Sequence, residues 1–293
     1  MRRVALLLTA SLLALSSLAC SISLPGVELP TLVPRLEVGE MQEYVEEVPR
    51  DGVEEAQVEV TMGTGEITLA PGEADPLFSG HFRTNVAAWA PEVTWEDGLL
   101  RIAQSETRGM PEAGARNEWE LTFSPEVPME MSITVGAGQG ELDFSGLALT
   151  RLTLESGASD LVARFDAPNP ARMERLTVRA GAANLEVSGI GNAGPREMRV
   201  EGGVGNLVLD LTGDWPSSAE VQVTAGTGAL TLRVPADVGV RVEMTGGLGG
   251  LEVDDAFTLS DGAYVNPAFG TAQVELLINV TLGVGSVTLE QVE

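Results

Sequence analysis

One short frame recurs along this chain: a strand-like arm, a corner of two small residues around one other, and a second arm. The corners are Gly63-Thr64-Gly65, Gly138-Gln139-Gly140, Gly157-Ala158-Ser159, Gly181-Ala182-Ala183, Gly203-Val204-Gly205, Gly226-Thr227-Gly228, Gly247-Leu248-Gly249 and Gly283-Val284-Gly285. From Gly138 to Gly247 the steps are 19, 24, 22, 23 and 21 residues. With the corners aligned, the positions five and three before the first small residue and four and six after it are apolar in all eight units. That makes 32 positions in a chain that is 44% apolar. A spacing of two on each arm is the period of a β-strand with alternate side chains facing one core. Glu59, Thr61, Thr153, Glu155, Arg179 and Glu201 stand between the apolar positions and face solvent.

A unit of this size cannot stand alone. Four buried aliphatic side chains contribute roughly 6–12 kcal/mol, while ordering the backbone costs about 1–2 kcal/mol for every residue. Stacking each arm on its equivalent in the next unit turns the apolar columns into a continuous core. The frame therefore predicts an all-β fold, a single-stranded-type β-solenoid of about eight strand-GxG-strand units. A globular sandwich of hairpins is the competing architecture, but its turns have no reason to keep a fixed frame.

Two stretches interrupt the repeat. Residues 70–130 hold strand-like runs at 81–89, 92–96, 99–104 and 118–124, with Glu96-Asp97-Gly98 as a hairpin turn. Trp89, Trp95 and Trp119 lie here, and the stretch reads as an N-terminal β cap that covers the open edge. Residues 254–271 contain Phe257, Tyr264 and Phe269, lengthen the last step to 36, and read as a side hairpin or C-terminal cap insert.

The start of the chain has a different character. Met1-Arg2-Arg3 precedes an apolar run from Val4 to Leu18, too short to span a bilayer comfortably and suited to a signal-peptide core. The segment ends Leu18-Ala19-Cys20 and resembles a bacterial lipoprotein signal, with Ser17 where that signal usually has Leu. The resemblance implies a signal peptide over 1–19 and a lipid attached at Cys20. Two or more acyl chains hold a protein to a membrane stably, so the implied location is the outer side of the cell membrane, extracellular or periplasmic. Pro25, Pro30 and Pro34, followed by closely spaced glutamates, make 20–52 a proline-rich and acidic tether. Within it, Glu37, Glu40, Glu43 and Glu46 recur every third residue and predict a short helix over 37–49. The body then divides into an N-terminal section at 53–130 and the solenoid at 131–293.

Charge and residue counts exclude several functions. The chain carries 17 basic residues, all arginine, against 43 acidic ones, for a net charge of -26. That field repels phosphate backbones, so nucleic acid is not an expected partner. One Cys and one His leave no Cys/His zinc site, no disulfide framework and no Ser-His-Asp or Cys-His catalytic set. No catalytic residue and no cofactor are assigned from the sequence. The residue after each corner faces outward, and stacking would align Glu141, Asp160, Asn184 and Asn206 at ~4.8 Å steps. A hydrogen-bonding ladder is the plain interpretation of that column. A Ca²⁺ or sugar-contact stripe is the alternative, since oxygen ligands suit hard cations. His81 and Trp215 read as packed side chains, and Arg172 and Arg175 beside Asp166 as a solvated loop. Parallel solenoids also carry lyases and hydrolases, whose chemistry needs carboxylates converging on one exposed face.

The run from GAGQGELDFSG to EVSGIGNA, the later GGVGNLVLDLTGDWPSS and DGAYVNPAF, and the N-terminal GTGEITLAPGEADPLFSGHF resemble the toast-rack β-solenoid family of bacterial envelope proteins. Adhesin-type proteins and the C-terminal domain of LiaF-like cell-wall-antibiotic response proteins share that architecture. The resemblance covers about 53–293. It implies a non-catalytic envelope-surface module acting in adhesion, as a scaffold or in stress sensing, with an envelope protein or polysaccharide as partner. A polysaccharide-acting lyase or hydrolase is the alternative. The multi-span membrane segment of LiaF-like proteins is missing from this chain.

Overall fold

Apolar residues at every second position favour extended chain. The computed structural model, which describes residues 34–105 and 109–292, folds every repeat as two β arms joined at a corner. Of the described residues, 35–105 and 111–292 form one unit and Pro34 with 109–110 another. In the latter, Met110 donates its amide hydrogen to the Pro34 carbonyl at 2.9 Å. The expected signal segment, Cys20 and the tether up to residue 33 lie outside the described residues.

The larger unit begins with β1 (Gln42–Val48), β2 (Ala56–Pro71), β3 (Phe78–Thr84), β4 (Pro91–Glu96), β5 (Leu99–Gln104) and β6 (Asn117–Phe123). The central repeats are β7 (Met129–Asp143), β8 (Leu149–Arg164), β9 (Arg175–Ala182) with β10 (Asn184–Ser188), β11 (Glu197–Asp210) and β12 (Ala219–Pro235). The chain ends with β13 (Gly239–Leu248), β14 (Leu251–Val253), the short β15 (Thr258–Ser260) and β16 (Ala263–Val265), and β17 (Glu275–Val292). β2, β7, β8, β11, β12 and β17 each run through their corner as one bent strand.

Neighbouring rungs pair in parallel, each residue opposite its equivalent. Leu154 lies between Ile133 and Val178, and Leu230 between Leu207 and Val287. This is the expected solenoid, with its two sheets made by the first and second arms.

The order of rungs departs from simple sequential stacking at both ends. β12 pairs with β17, the last strand of the chain, and β17 pairs on its other side with β13 and β14. The final strand thus inserts ahead of the repeat that precedes it in sequence. The N-terminal end mirrors this. β5 and β6 pair in parallel with the two arms of β2, while β2 pairs on its other side with β7. Runs 99–104 and 118–124, expected as parts of a cap, are therefore the two arms of a further rung. Leu100, Ile102, Trp119 and Leu121 are its core quartet, all buried. Nine rungs stack among the described residues. Outside them, β4 pairs antiparallel with β5, β3 antiparallel with β6, and β1 antiparallel with β3. The helix expected over 37–49 is instead the strand β1, whose pairing from Gln42–Thr84 to Val48–Phe78 outweighs the local three-residue spacing of glutamates.

One corner differs from the sequence frame. Gly65 lies opposite Gly138, and Gly138 opposite Ser159, so the second unit turns at Gly136-Ala137-Gly138 and not at Gly138-Gln139-Gly140. A slip of one residue would turn every side chain to the wrong face, but a slip of two leaves the apolar pattern intact. The stacked second glycines Gly65, Gly138, Gly205, Gly228 and Gly285 have φ between +135° and +146°, and a Cβ on Gly138 would overlap the Gly65 carbonyl. Ser159 and Ala183 replace glycine in this column with their side chains buried.

Of the 32 repeat positions, 29 are buried, and the three exceptions, Met244, Leu251 and Val253, all belong to the outermost rung. A single apolar cluster runs through the stack from Val48 to Leu289. Asparagines pin the loops that join the rungs. Asn169 accepts from the amides of Leu149 and Ala171, and Asn192 donates to the Phe165 carbonyl at 2.7 Å. Trp215 is buried there, its Nε1 donating to the Leu211 carbonyl at 2.7 Å.

Candidate functional site

The outward columns of the second arms follow from the register. The first runs Glu118, Glu66, Gln139, Asp160, Asn184, Asn206, Ala229, Ser286 and Gly250. Three of the four candidate residues, Asp160, Asn184 and Asn206, stand in it. Glu141 does not. It lies one column further along the arm, opposite Thr68 and Val162, because the second corner sits two residues earlier than the frame suggested. Gln139 takes its expected place.

Within the first column the side chains bond to one another along the stack. Asn184 donates from Nδ2 to Asp160 Oδ1 at 2.7 Å, and Asn206 donates from Nδ2 to Asn184 Oδ1 at 3.0 Å. This is an amide ladder of the kind that in-register parallel rungs permit. Its chemistry is donor-acceptor pairing between exposed groups. Glu141, Val162, Glu186 and Val208 form the second column, and with Glu66, Gln139, Asp160, Asn184 and Asn206 of the first they line an open groove of about 620 Å³ over the sheet face. Gln139 and Glu186 belong to this groove without having been singled out from the sequence. Correct alignment of the GAGQG corner would have found Gln139.

Parallel stacking also sets like charges side by side unless opposite charges interleave. The arginines meet this need on both sheets. Arg151 lies between Glu174 at 2.7 Å and Glu130 at 3.4 Å, and Arg179 between Glu155 at 2.5 Å and Glu201 at 3.4 Å. The bonds from Glu174 and Glu155 raise the pKa of Arg151 and Arg179 respectively. Arg175 holds Glu197 at 2.8 Å, and that bond pulls the carboxyl of Glu197 below its ordinary range. Burial pushes Asp143 upward, but hydrogen bonds from Ser145 and Arg164 outweigh it and leave that carboxyl lowered as well. A general acid working near neutral pH needs the opposite shift. Asp166 pairs with Arg164 at 3.6 Å, and His81 sits on the outer side of β3, its Nδ1 3.8 Å from Glu120, instead of packing into the cap.

Among the described residues, no three side chains of His, Cys, Asp or Glu gather in a way that could hold a metal ion. No helix among them is long and apolar enough to cross a membrane.

The profile of the N-terminal domain of toast_rack matches residues 37–188, just over half of the chain. The chain belongs to the toast-rack family. The matched part of this toast-rack protein contains β1 through β10, including the groove except Asn206 and Val208.

Among solved structures, a putative cell adhesion protein from Clostridium sporogenes is 19% identical, with a TM-score of 0.48, covering 86% of this chain and 100% of its own. A putative adhesin from Bacteroides fragilis is 10% identical, with a TM-score of 0.43 and coverage of 86% and 99%. A putative lipid binding protein from Parabacteroides distasonis is 9% identical, with a TM-score of 0.32 and coverage of 88% and 100%. At such identity the likeness says nothing of what the toast-rack chain binds. Comparison with curated proteins finds no match.

Proposed function

We propose that this toast-rack protein is a non-catalytic, lipid-anchored module of the bacterial cell surface that presents its rung faces to an envelope or surface partner, as an adhesin, a scaffold or a stress-sensing element. One observation carries the reading. The polar groups of the open groove bond along the stack in the series Asp160, Asn184, Asn206, and the arginines of the rungs are engaged by neighbouring carboxylates. A repeated lattice of this kind suits extended, multipoint contact more than the convergence of acid, base and substrate on one bond. The Leu18-Ala19-Cys20 terminus of an apolar segment supports the anchor.

Cys20→Ser tests the anchor. The variant leaves the membrane fraction and appears in the soluble fraction; persistent membrane association contradicts the anchor. The second reading, a polysaccharide lyase or hydrolase, draws on Glu66, Glu141, Asp160 and Glu186 around the groove. It requires turnover on a polysaccharide panel that is lost in Glu141→Gln or Asp160→Asn. Absence of turnover in the parent protein leaves the binding module.

A further inference from the structure

The two ends of the stack are finished differently. At the N-terminal end, β3 and β4 cover the outermost rung, and the last strand, β1, carries Glu43, Glu46 and Glu47. Charges on an edge strand discourage further pairing. At the other end, β13 is covered at Arg241 and Val242, which pair with Val265 and Tyr264 of β16, and at Val240, which bonds to Asn266. Among the described residues, no strand lies beyond the rest of β13 or beyond β14.

This open edge exposes side chains that every inner rung buries. Leu251 is 48% exposed, whereas Leu230 and Val287, its equivalents in the next rungs, are 1% and 6% exposed. Met244 and Val253 are likewise uncovered in part. A hollow of about 400 Å³ adjoins the second arm, lined by Glu252, Val253, Asp254, Asp255, Leu289 and Glu290. Inside the stack, a carboxylate column is neutralised by an arginine on the adjoining rung, as Arg233 does for Glu290 at 3.3 Å. Glu252 and Asp254 have no such salt bridge among the described residues.

We propose that this edge receives an extended segment of a partner protein, lying parallel to β13 and β14. Branched aliphatic side chains on that segment cover Met244, Leu251 and Val253, and Lys or Arg at its outward positions meets Glu252 and Asp254 and joins Arg241 at Glu243. Backbone pairing supplies the attachment and the alternating side chains supply selectivity. A second copy is a poor occupant, because it brings the same carboxylates and a net charge of -26 to the contact. The assignment goes beyond the surface-module reading and is independent of the lipid anchor.

The test uses the full chain carrying Cys20→Ser and a labelled 14-residue peptide copying residues 222–235 with Gln222→Lys and Thr231→Lys. An otherwise identical peptide has glutamate at both those places and at Arg233. By fluorescence anisotropy the basic peptide binds, and the acidic one binds at least tenfold more weakly. The double variant Glu252→Arg, Asp254→Arg, with an unchanged melting temperature, loses at least tenfold in affinity for the basic peptide. Hydrogen exchange shows new protection at 243–253. Failure of the basic peptide to bind, equal affinity for the double variant, or protection elsewhere overturns the proposal. So does a concentration-dependent dimer abolished by Leu251→Lys, which would place a second copy on the edge.

Discussion

The carbonyl oxygen of Gly65 occupies the space that a Cβ on Gly138 would need, across the corner of two adjacent rungs. Gly138 also has φ +135°, a conformation that side chains other than hydrogen rarely adopt. Gly138→Ala therefore destabilises the fold by at least ~1–3 kcal/mol from backbone strain, with the overlap added to it. Gly250→Ala, with only the Ser286 Cβ nearby at 3.9 Å and no left-handed backbone, changes stability by under ~0.5 kcal/mol. Denaturant unfolding of the two variants measures the contrast.

Repeat-equivalent leucines differ in worth according to rung. Leu230 lies between two rungs and Leu251 on the open edge. Leu230→Ala costs about 2–5 kcal/mol, in the range of buried leucines. Leu251→Ala costs under ~1 kcal/mol, since nearly half of its surface is already in water. Equal losses at the two positions would mean that the outer edge is covered in solution.

Asn266 secures the terminal hairpin. Its Oδ1 accepts from the amides of Val240 at 2.9 Å and Phe269 at 3.1 Å, and its Nδ2 donates to the Val238 carbonyl at 2.8 Å. The residue is buried, so Asn266→Ala leaves unpaired backbone groups and costs about 1–3 kcal/mol or more. Hydrogen exchange at Val240 rises selectively in that variant, whereas the Phe269 amide keeps its bond to the backbone carbonyl of residue 266.

Acid sensitivity follows from Glu197 and Asp143. Both carboxyls lie below their ordinary values of 4.5 and 3.8 in the folded protein, Glu197 through Arg175 and Asp143 through Ser145 and Arg164 against opposing burial. Their contribution is complete above those ordinary values and is lost as pH falls through the lowered folded values. Glu197→Gln removes part of the acid-induced loss of stability, at most ~1 kcal/mol for a surface pair of this kind. Melting temperatures measured from pH 6 to pH 2.5 compare the variant with the parent.

Much of the architecture is legible in the chain because alternation and corner spacing are local properties. Val58, Leu154 and Leu232 declare their burial without any knowledge of neighbours. The frame of the second corner is ambiguous because Gly136, Gly138 and Gly140 offer two overlapping corners that bury the same face. For that reason alone Glu141 stands one column away from its expected place. Leu100, Ile102, Trp119 and Leu121 form a rung without a glycine corner, so a search keyed to corners passes over them. The order of rungs is a property of pairing, and the repeats at either end are too alike to encode it. Its trace in the sequence is the pair of long interruptions, 70–130 and 254–271, each beside an exchanged rung. In the candidate site, spacing places Asp160, Asn184 and Asn206 together, whereas their mutual bonding depends on side-chain geometry.

The out-of-order stack is tested most directly by disulfide trapping in the Cys20→Ser background. Thr224 of β12 lies opposite Thr281 of β17, and Thr281 opposite Thr245 of β13. Neighbouring rungs stand ~4.8 Å apart, within disulfide reach, and alternate rungs about twice that, beyond it. The account predicts that Thr224→Cys with Thr281→Cys oxidises rapidly to an intramolecular disulfide and that Thr224→Cys with Thr245→Cys does not. Rapid closure of the second pair and failure of the first would contradict it.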